Sequence, residues 1–262
     1  MAETPPDRRR GTAGVTAALS LQAVGRAFGG LQAVRDVSFD VEPGARMAVI
    51  GPNGAGKTTL FNLITGETLP TSGRIRIFGS DVTRLPPNRR AALGLGRTYQ
   101  VTNLLPRLTV LDNMLLASAG LERTKFSVLR PMRAFRHLHA RAETLLSPLG
   151  LWDLRDAMVS DLSYGDQRQL EIALALASSP QILLLDEPTA GLAAAETRAL
   201  MEIVRSLPPE ITILLIEHDM SVVFGTCERI MVLHSGEVVA DGTPEAIRGD
   251  DRVREIYLGA GA

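Results

Sequence analysis

Apolar residues in this chain fall into short runs split by turn signals. Residues 19–24 and 34–41 form two such runs, and Pro43-Gly44 turns the chain before Met47-Ala48-Val49-Ile50. This predicts a small antiparallel β layer followed by a buried strand. Residues 73–79 alternate with period two, the mark of a half-exposed strand. Residues 94–100 read as a loop and a short strand ending in Gln100. Ile182-Leu183-Leu184-Leu185 and residues 211–216 are apolar almost throughout, which suits a parallel sheet covered on both faces. Residues 229–233 and 237–240 flank Ser235-Gly236 as a hairpin-like pair.

Other segments carry the helical period. Leu60-Phe61-Asn62-Leu63-Ile64 runs toward a stop at Gly66. Residues 109–119 and 134–149 are punctuated by Pro106, Gly120, Pro131 and Gly150, and predict a helical insertion over 105–160. Ser163 is placed as the N-cap of a helix whose apolar series runs from Leu170 toward Pro180. Residues 196–205 give another helix, and a short one follows Thr243-Pro244 before a tail ending Tyr257-Leu258-Gly259. The pattern predicts an α/β domain over 18–259, preceded by a disordered tail over 1–17.

Composition narrows the function classes. The net charge of -1 over 262 residues argues against a protein built mainly to bind nucleic acid. The single cysteine, Cys227, excludes an internal disulfide framework. No apolar run approaches the roughly 20 residues that span a bilayer. Arg130, Arg133, Arg136, His137, His139 and Arg141 give the insertion a basic face, either solvated or offered to a partner or anionic lipid.

The chemistry gathers at Gly51-Pro52-Asn53-Gly54-Ala55-Gly56-Lys57-Thr58-Thr59. A strand leads in, a helix leads out, and the spacing is that of a phosphate-binding loop. Its glycines let backbone N–H groups converge on phosphate oxygens, and the helix turns its positive end on the same anion. Lys57 is placed to reach the β- and γ-phosphates, and the Thr58 hydroxyl to hold Mg²⁺. Lys57 is one of only two lysines in an arginine-rich chain. Asp186-Glu187 closes an apolar strand, at the edge where open α/β sheets bind ligands. Asp186 is positioned for Mg²⁺ and Glu187 to orient or deprotonate a water. His218 repeats that strand-end position, and Phe28 is either a base-stacking platform or a core residue.

In order, Phe28, the loop 51–59, Gln100, Leu162-Ser163-Tyr164-Gly165, Asp186-Glu187 and His218 resemble the nucleotide-binding subunit of ABC transporters. The Leu-Ser-x-Gly piece is the specific part. The nearer resemblance is to the ATP-binding subunit of branched-chain amino-acid importers, through Phe28-Gly29-Gly30-Leu31, Gly96-Arg97-Thr98-Tyr99-Gln100 and residues 162–172, 216–223 and 254–259. The resemblance implies a P-loop NTPase core with a mostly parallel sheet, an antiparallel β layer and an α-helical insertion. It makes Phe28 an adenine platform and Gln100 a sensor of Mg²⁺ and lytic water. It gives Ser163 and Gly165 a second phosphate site, used by a facing copy in a head-to-tail pair.

The implied cofactors are ATP and Mg²⁺. The implied partners are a second ATPase subunit, transmembrane permeases and, indirectly, a solute-binding protein, with the chain peripheral on the cytoplasmic face of the inner membrane. Lipid or lipopolysaccharide exporters and soluble ABC ATPases are the alternatives. Ala193 departs from the pattern, because the family usually carries Asp or Asn there.

Overall fold

The computed structural model describes residues 16–98, 104–120 and 135–258. The chain opens with β1 (Leu19–Phe28) and β2 (Leu31–Val41), then β3 (Arg46–Ile50) and α1 (Lys57–Thr65). Next come β4 (Ser72–Ile77), β5 (Ser80–Asp81), α2 (Pro87–Ala91) and β6 (Leu95–Arg97). The helical stretch holds α3 (Val110–Ala119), α4 (Arg136–Leu146) and α5 (Tyr164–Leu176). The rest alternates: β7 (Ile182–Asp186), α6 (Ala194–Ser206), β8 (Thr212–Ile216), α7 (Met220–Thr226), β9 (Arg229–His234) and β10 (Glu237–Gly242). It ends in α8 (Pro244–Gly249) and α9 (Asp251–Leu258).

These strands form two sheets. The order β2-β1-β4-β5 makes an antiparallel layer. The order β10-β9-β3-β8-β7-β6 makes the main sheet, parallel except for its β10 edge. Register sets the position of the chemistry. Val49 of β3 and Asp186 of β7 both pair with Ile216 of β8. The segments that begin at Gly51, Glu187 and Glu217 therefore leave the sheet along one edge.

The apolar strands are explained by what covers them. Val49, Leu184, Leu214 and Ile216 face a core shared with Phe61 and Ile64 of α1 and with Leu19 and Ile75 of the antiparallel layer. Their neighbours Ala48, Ile50, Leu183, Leu185, Ile213 and Leu215 face the opposite core, closed by Leu200 and Val204 of α6 and Val223 of α7. Successive side chains point to opposite faces, so both must be apolar. A third core joins Met114 of α3 and Leu138 and Leu146 of α4 to Leu170 and Ala173 of α5. Among the described residues, no helix is long and apolar enough to cross a membrane.

Local signals set the helix ends. Thr109 and Ser163 cap α3 and α5, accepting from the amides of Asp112 and Asp166 at 3.0 and 3.1 Å. Gly66 ends α1 in the left-handed region at φ 84° and donates to Asn62 O. The helix expected over 134–149 is shorter: α4 ends at Leu146, and Ser147–Leu149 tightens into a 3-10 turn ahead of Gly150. The expected terminal tail after α8 is instead the helix α9, whose Val253 is buried in the second core. The predicted tail 1–17 and the strand end at Gln100 fall largely or wholly outside the described residues.

Candidate functional site

The phosphate loop is wedged between two strands, and glycine alone permits it. A Cβ on Gly51 would stand 2.0 Å from Leu233 O of β9, and one on Gly56 2.4 Å from Ala33 O of β2. Gly56 caps α1 at φ 103°, with no side chain bonded to the helix amides. Those amides keep the donor capacity that an anion needs. The loop's own carbonyls occupy Lys57, whose Nζ donates to Gly51 O at 2.6 Å and Pro52 O at 3.0 Å. Burial lowers the Lys57 pKa, while Glu187 and Asp186 oppose that shift.

One cleft is lined by Phe28, Asn53, Gly54, Ala55, Gly56, Lys57, Thr58, Thr59 and Glu187. Phe28 is 45% exposed, and the Arg26 guanidinium lies 4.4 Å from its ring centroid. The ring is therefore not a core residue, and it lies in the cleft beside the phosphate loop.

The acidic pair divides its roles by burial. Asp186 is 1% exposed. Its Oδ2 accepts from Arg97 Nη2 at 2.8 Å, whereas its buried Oδ1 has no hydrogen-bond partner. Burial raises its pKa, with Arg97 as the main opposing influence. A buried carboxylate oxygen without a donor suits a hard cation, and so does the exposed Thr58 hydroxyl, so these residues fit Mg²⁺. Glu187 takes a left-handed backbone at φ 49°, unusual for a residue with a side chain. Its amide donates to Ile216 O at 2.9 Å, and its Oε1 meets His218 Nε2 at 2.5 Å.

Glu217 fixes the strand end between them. This buried carboxylate accepts from Thr189 N at 2.9 Å, Thr189 Oγ1 at 2.7 Å and His218 N at 3.2 Å. It ties the chain after β7 to the chain after β8. The pattern of residues gave no sign of that role, or of the grip of Arg97 on Asp186.

Ser163 and Gly165 do not line the cleft. The Ser163 hydroxyl donates to Asp166 Oδ2 at 2.7 Å, and a Cβ on Gly165 would meet Glu196 Oε1 at 2.9 Å. Gln100 lies outside the described residues.

A strand, a glycine loop and a helix that share their edge with a buried Asp and a strained Glu define a P-loop nucleoside triphosphatase. Comparison with known proteins narrows the class. A sequence model of ABC transporters matches residues 34–190, and one of branched-chain amino acid ATP-binding cassette transporters matches 237–262. The chain belongs to the ABC transporter family, as one of its ATP-hydrolysing cassettes. It is 42% identical to the high-affinity branched-chain amino acid transport ATP-binding protein LivG of Escherichia coli K12, covering 92% of this chain and 97% of that one. It is similar to the crystal structure of the ADP conformation of an ABC transporter's ATP-binding cassette, with a TM-score of 0.84, 30% identity and coverage of 93% and 99%. It is also similar to a dimeric cassette in a post-hydrolysis state bound to ADP and Pi, with a TM-score of 0.74, 27% identity and coverage of 86% and 98%.

Proposed function

We propose that this chain powers an importer of branched-chain amino acids by hydrolysing ATP. The observation that carries the reading is the likeness to LivG along 92% of the chain. Residues 18–259 act as the ATPase domain, with 105–160 as its helical subdomain.

ATP draws Lys57 off its loop carbonyls and onto the β- and γ-phosphates, while the amides of residues 51–59 cradle them. Phe28 takes the adenine. Thr58, Asp186 and Gln100 would hold Mg²⁺, which would neutralise phosphate charge. Glu187 aligns the attacking water and His218 donates to the γ-phosphate. Phosphoryl transfer to water depends mainly on such positioning and charge stabilisation. Ser163 and Gly165 supply the second wall from a facing cassette, which accords with their place outside the cleft.

The facing cassette is a paralogue or a second copy. Permeases dock in the groove that Leu93, Gly94, Gly120 and Ser178 help to line, between the sheet and the helical stretch. The chain then sits peripherally on the cytoplasmic face of the inner membrane, with a solute-binding protein acting through the permeases.

Affinity capture from gently solubilised membranes tests the assembly, and uptake of labelled leucine in a deletion strain tests the cargo. Co-purified multi-span proteins and lost uptake are expected. Capture of ribosomes or DNA would overturn the transport reading, and intact leucine uptake would overturn the cargo.

A further inference from the structure

Arg97 carries a geometry that its place at the end of a short strand does not suggest. Its side chain is 6% exposed and that of Asp186 is 0% exposed. Arg97 Nη2 donates to Asp186 Oδ2 at 2.8 Å. Arg97 Nη1 donates to Asn62 Oδ1 at 2.7 Å and reaches Thr65 Oγ1 at 3.4 Å and Glu67 Oε2 at 3.3 Å. One guanidinium thus joins β6, which carries it, to β7 and to α1.

The helix it grips is the one that opens with Lys57 and Thr58. Asn62 lies about one turn beyond Thr58. Two of the candidate Mg²⁺ ligands come from separate elements, Thr58 from α1 and Asp186 from β7, and Arg97 is bonded to both elements. It also chooses between the carboxylate oxygens. With Oδ2 held, the carboxylate plane is fixed and Oδ1 is the oxygen left for a ligand. A planar fork can hold two acceptors in fixed directions at once, which an ammonium cannot.

We propose that Arg97 is a positioning residue for the metal site: it aims Asp186 Oδ1 and sets its separation from Thr58. The inference rests on Asp186 being the Mg²⁺ carboxylate. Partners that orient a metal's ligands are worth about 10- to 100-fold in metal affinity.

The test measures binding, not turnover. The affinity of the full chain for a non-hydrolysable ATP analogue is titrated with Mg²⁺ and again with EDTA, and the ratio gives the gain from Mg²⁺. Arg97→Met is expected to cut that gain about tenfold while affinity in EDTA stays within about twofold. Arg97→Lys should recover part of it, because charge returns without the fork. Asn62→Ala, which removes the shortest of the Nη1 contacts but keeps the arginine, should cut the gain about threefold, and it decides the matter if Arg97→Met does not fold. An unchanged gain in a folded Arg97→Met chain, or in Asn62→Ala where that variant decides, overturns the proposal. Asp186→Asn separates the two levels. If it abolishes the gain while Arg97→Met does not, only the role of Arg97 fails. If it leaves the gain intact, the assignment of Asp186 fails as well.

Discussion

Glu187 Oε1 and His218 Nε2 stand 2.5 Å apart, across the ends of two adjacent parallel strands. The proposed base and the histidine are therefore partners in the absence of nucleotide. Glu187 is held from behind by its bond to Ile216 O, and His218 by its bond to Glu217. Removing the carboxylate's basicity should leave ATP binding intact and abolish most turnover, by about 10²- to 10⁴-fold in Glu187→Gln. The same variant should accumulate as an ATP-bound dimer on size exclusion. His218→Ala should also lose most turnover, and the double variant should be little worse than the poorer single one, because the two act as a unit. Phosphate release by Glu187→Gln at the wild-type rate would remove Glu187 from its role.

The parts of the site that were legible in the sequence are those whose chemistry is local. Residues 51–59 announce themselves because a turn that tight, with Gly51 and Gly56 against carbonyls, admits few other residues. Asp186-Glu187 was visible because carboxylates at the end of an apolar strand have few other uses. Arg90, Arg97 and Glu217 were not visible. In the chain they look like ordinary surface charges, and only the tertiary fold shows them buried. Arg90 bonds to carbonyls of residues 63 and 64, far away in sequence. The helices α7 and α9 were missed for a related reason. They have seven and eight residues, too short for a clear period, and packing against the main sheet and its neighbours supports them.

Arg90 shows what such a buried charge does. It is 0% exposed and donates to Leu63 O at 2.6 Å, Ile64 O at 2.7 Å, Leu85 O at 2.9 Å and Thr83 O at 3.2 Å. Leu63 and Ile64 are in the last turn of α1, whose carbonyls lack helical partners. The arginine caps the phosphate-loop helix from its far end. Arg90→Leu would strand several buried carbonyls at once, each costing about 1–3 kcal/mol. A loss of at least about 3 kcal/mol is expected in urea melts, and Arg90→Lys should recover little of it because an ammonium cannot span the same acceptors. A loss below about 1 kcal/mol would show that water replaces the guanidinium.

Ala193 leaves a cap half built. The Glu196 carboxylate accepts from Ala193 N at 2.8 Å, which is one arm of a capping box, but alanine has no oxygen to return the bond. Ala193→Asp should supply that arm and an acidic group at the start of α6. The expected gain is about 1 kcal/mol, or about 2–4 °C in Tm by calorimetry. Because the family resemblance implies that Asp or Asn usually stands at this position, the same variant tests whether a polar group there also strengthens ATP-dependent pairing. Residue 193 is exposed, so an unchanged or lowered Tm would mean that the added oxygen does not accept from the α6 amides.

Cys227 offers a measure of the second core. Its thiol is 4% exposed among the packing of α6, α7 and the main sheet, and burial pushes its pKa up to about 12 from 9.0. The native chain therefore keeps a proton that the unfolded chain gives up above pH 9. In that range the native state binds more protons than the unfolded state, so stability falls as pH rises. The full contribution is present below pH 9 and is lost progressively toward pH 12, at about 1.4 kcal/mol per unit. Other groups titrate in the same range, so the useful quantity is the difference between wild type and Cys227→Ala. Urea melts from pH 7 to pH 11 should show that difference constant up to about 9 and then shifting toward the alanine variant by about 1.4 kcal/mol per unit. Iodoacetamide should label the native thiol far more slowly than the unfolded one at pH 9, because only the thiolate reacts. A pH-independent difference, or fast labelling of the folded chain, would mean that the core around α7 opens to water without global unfolding.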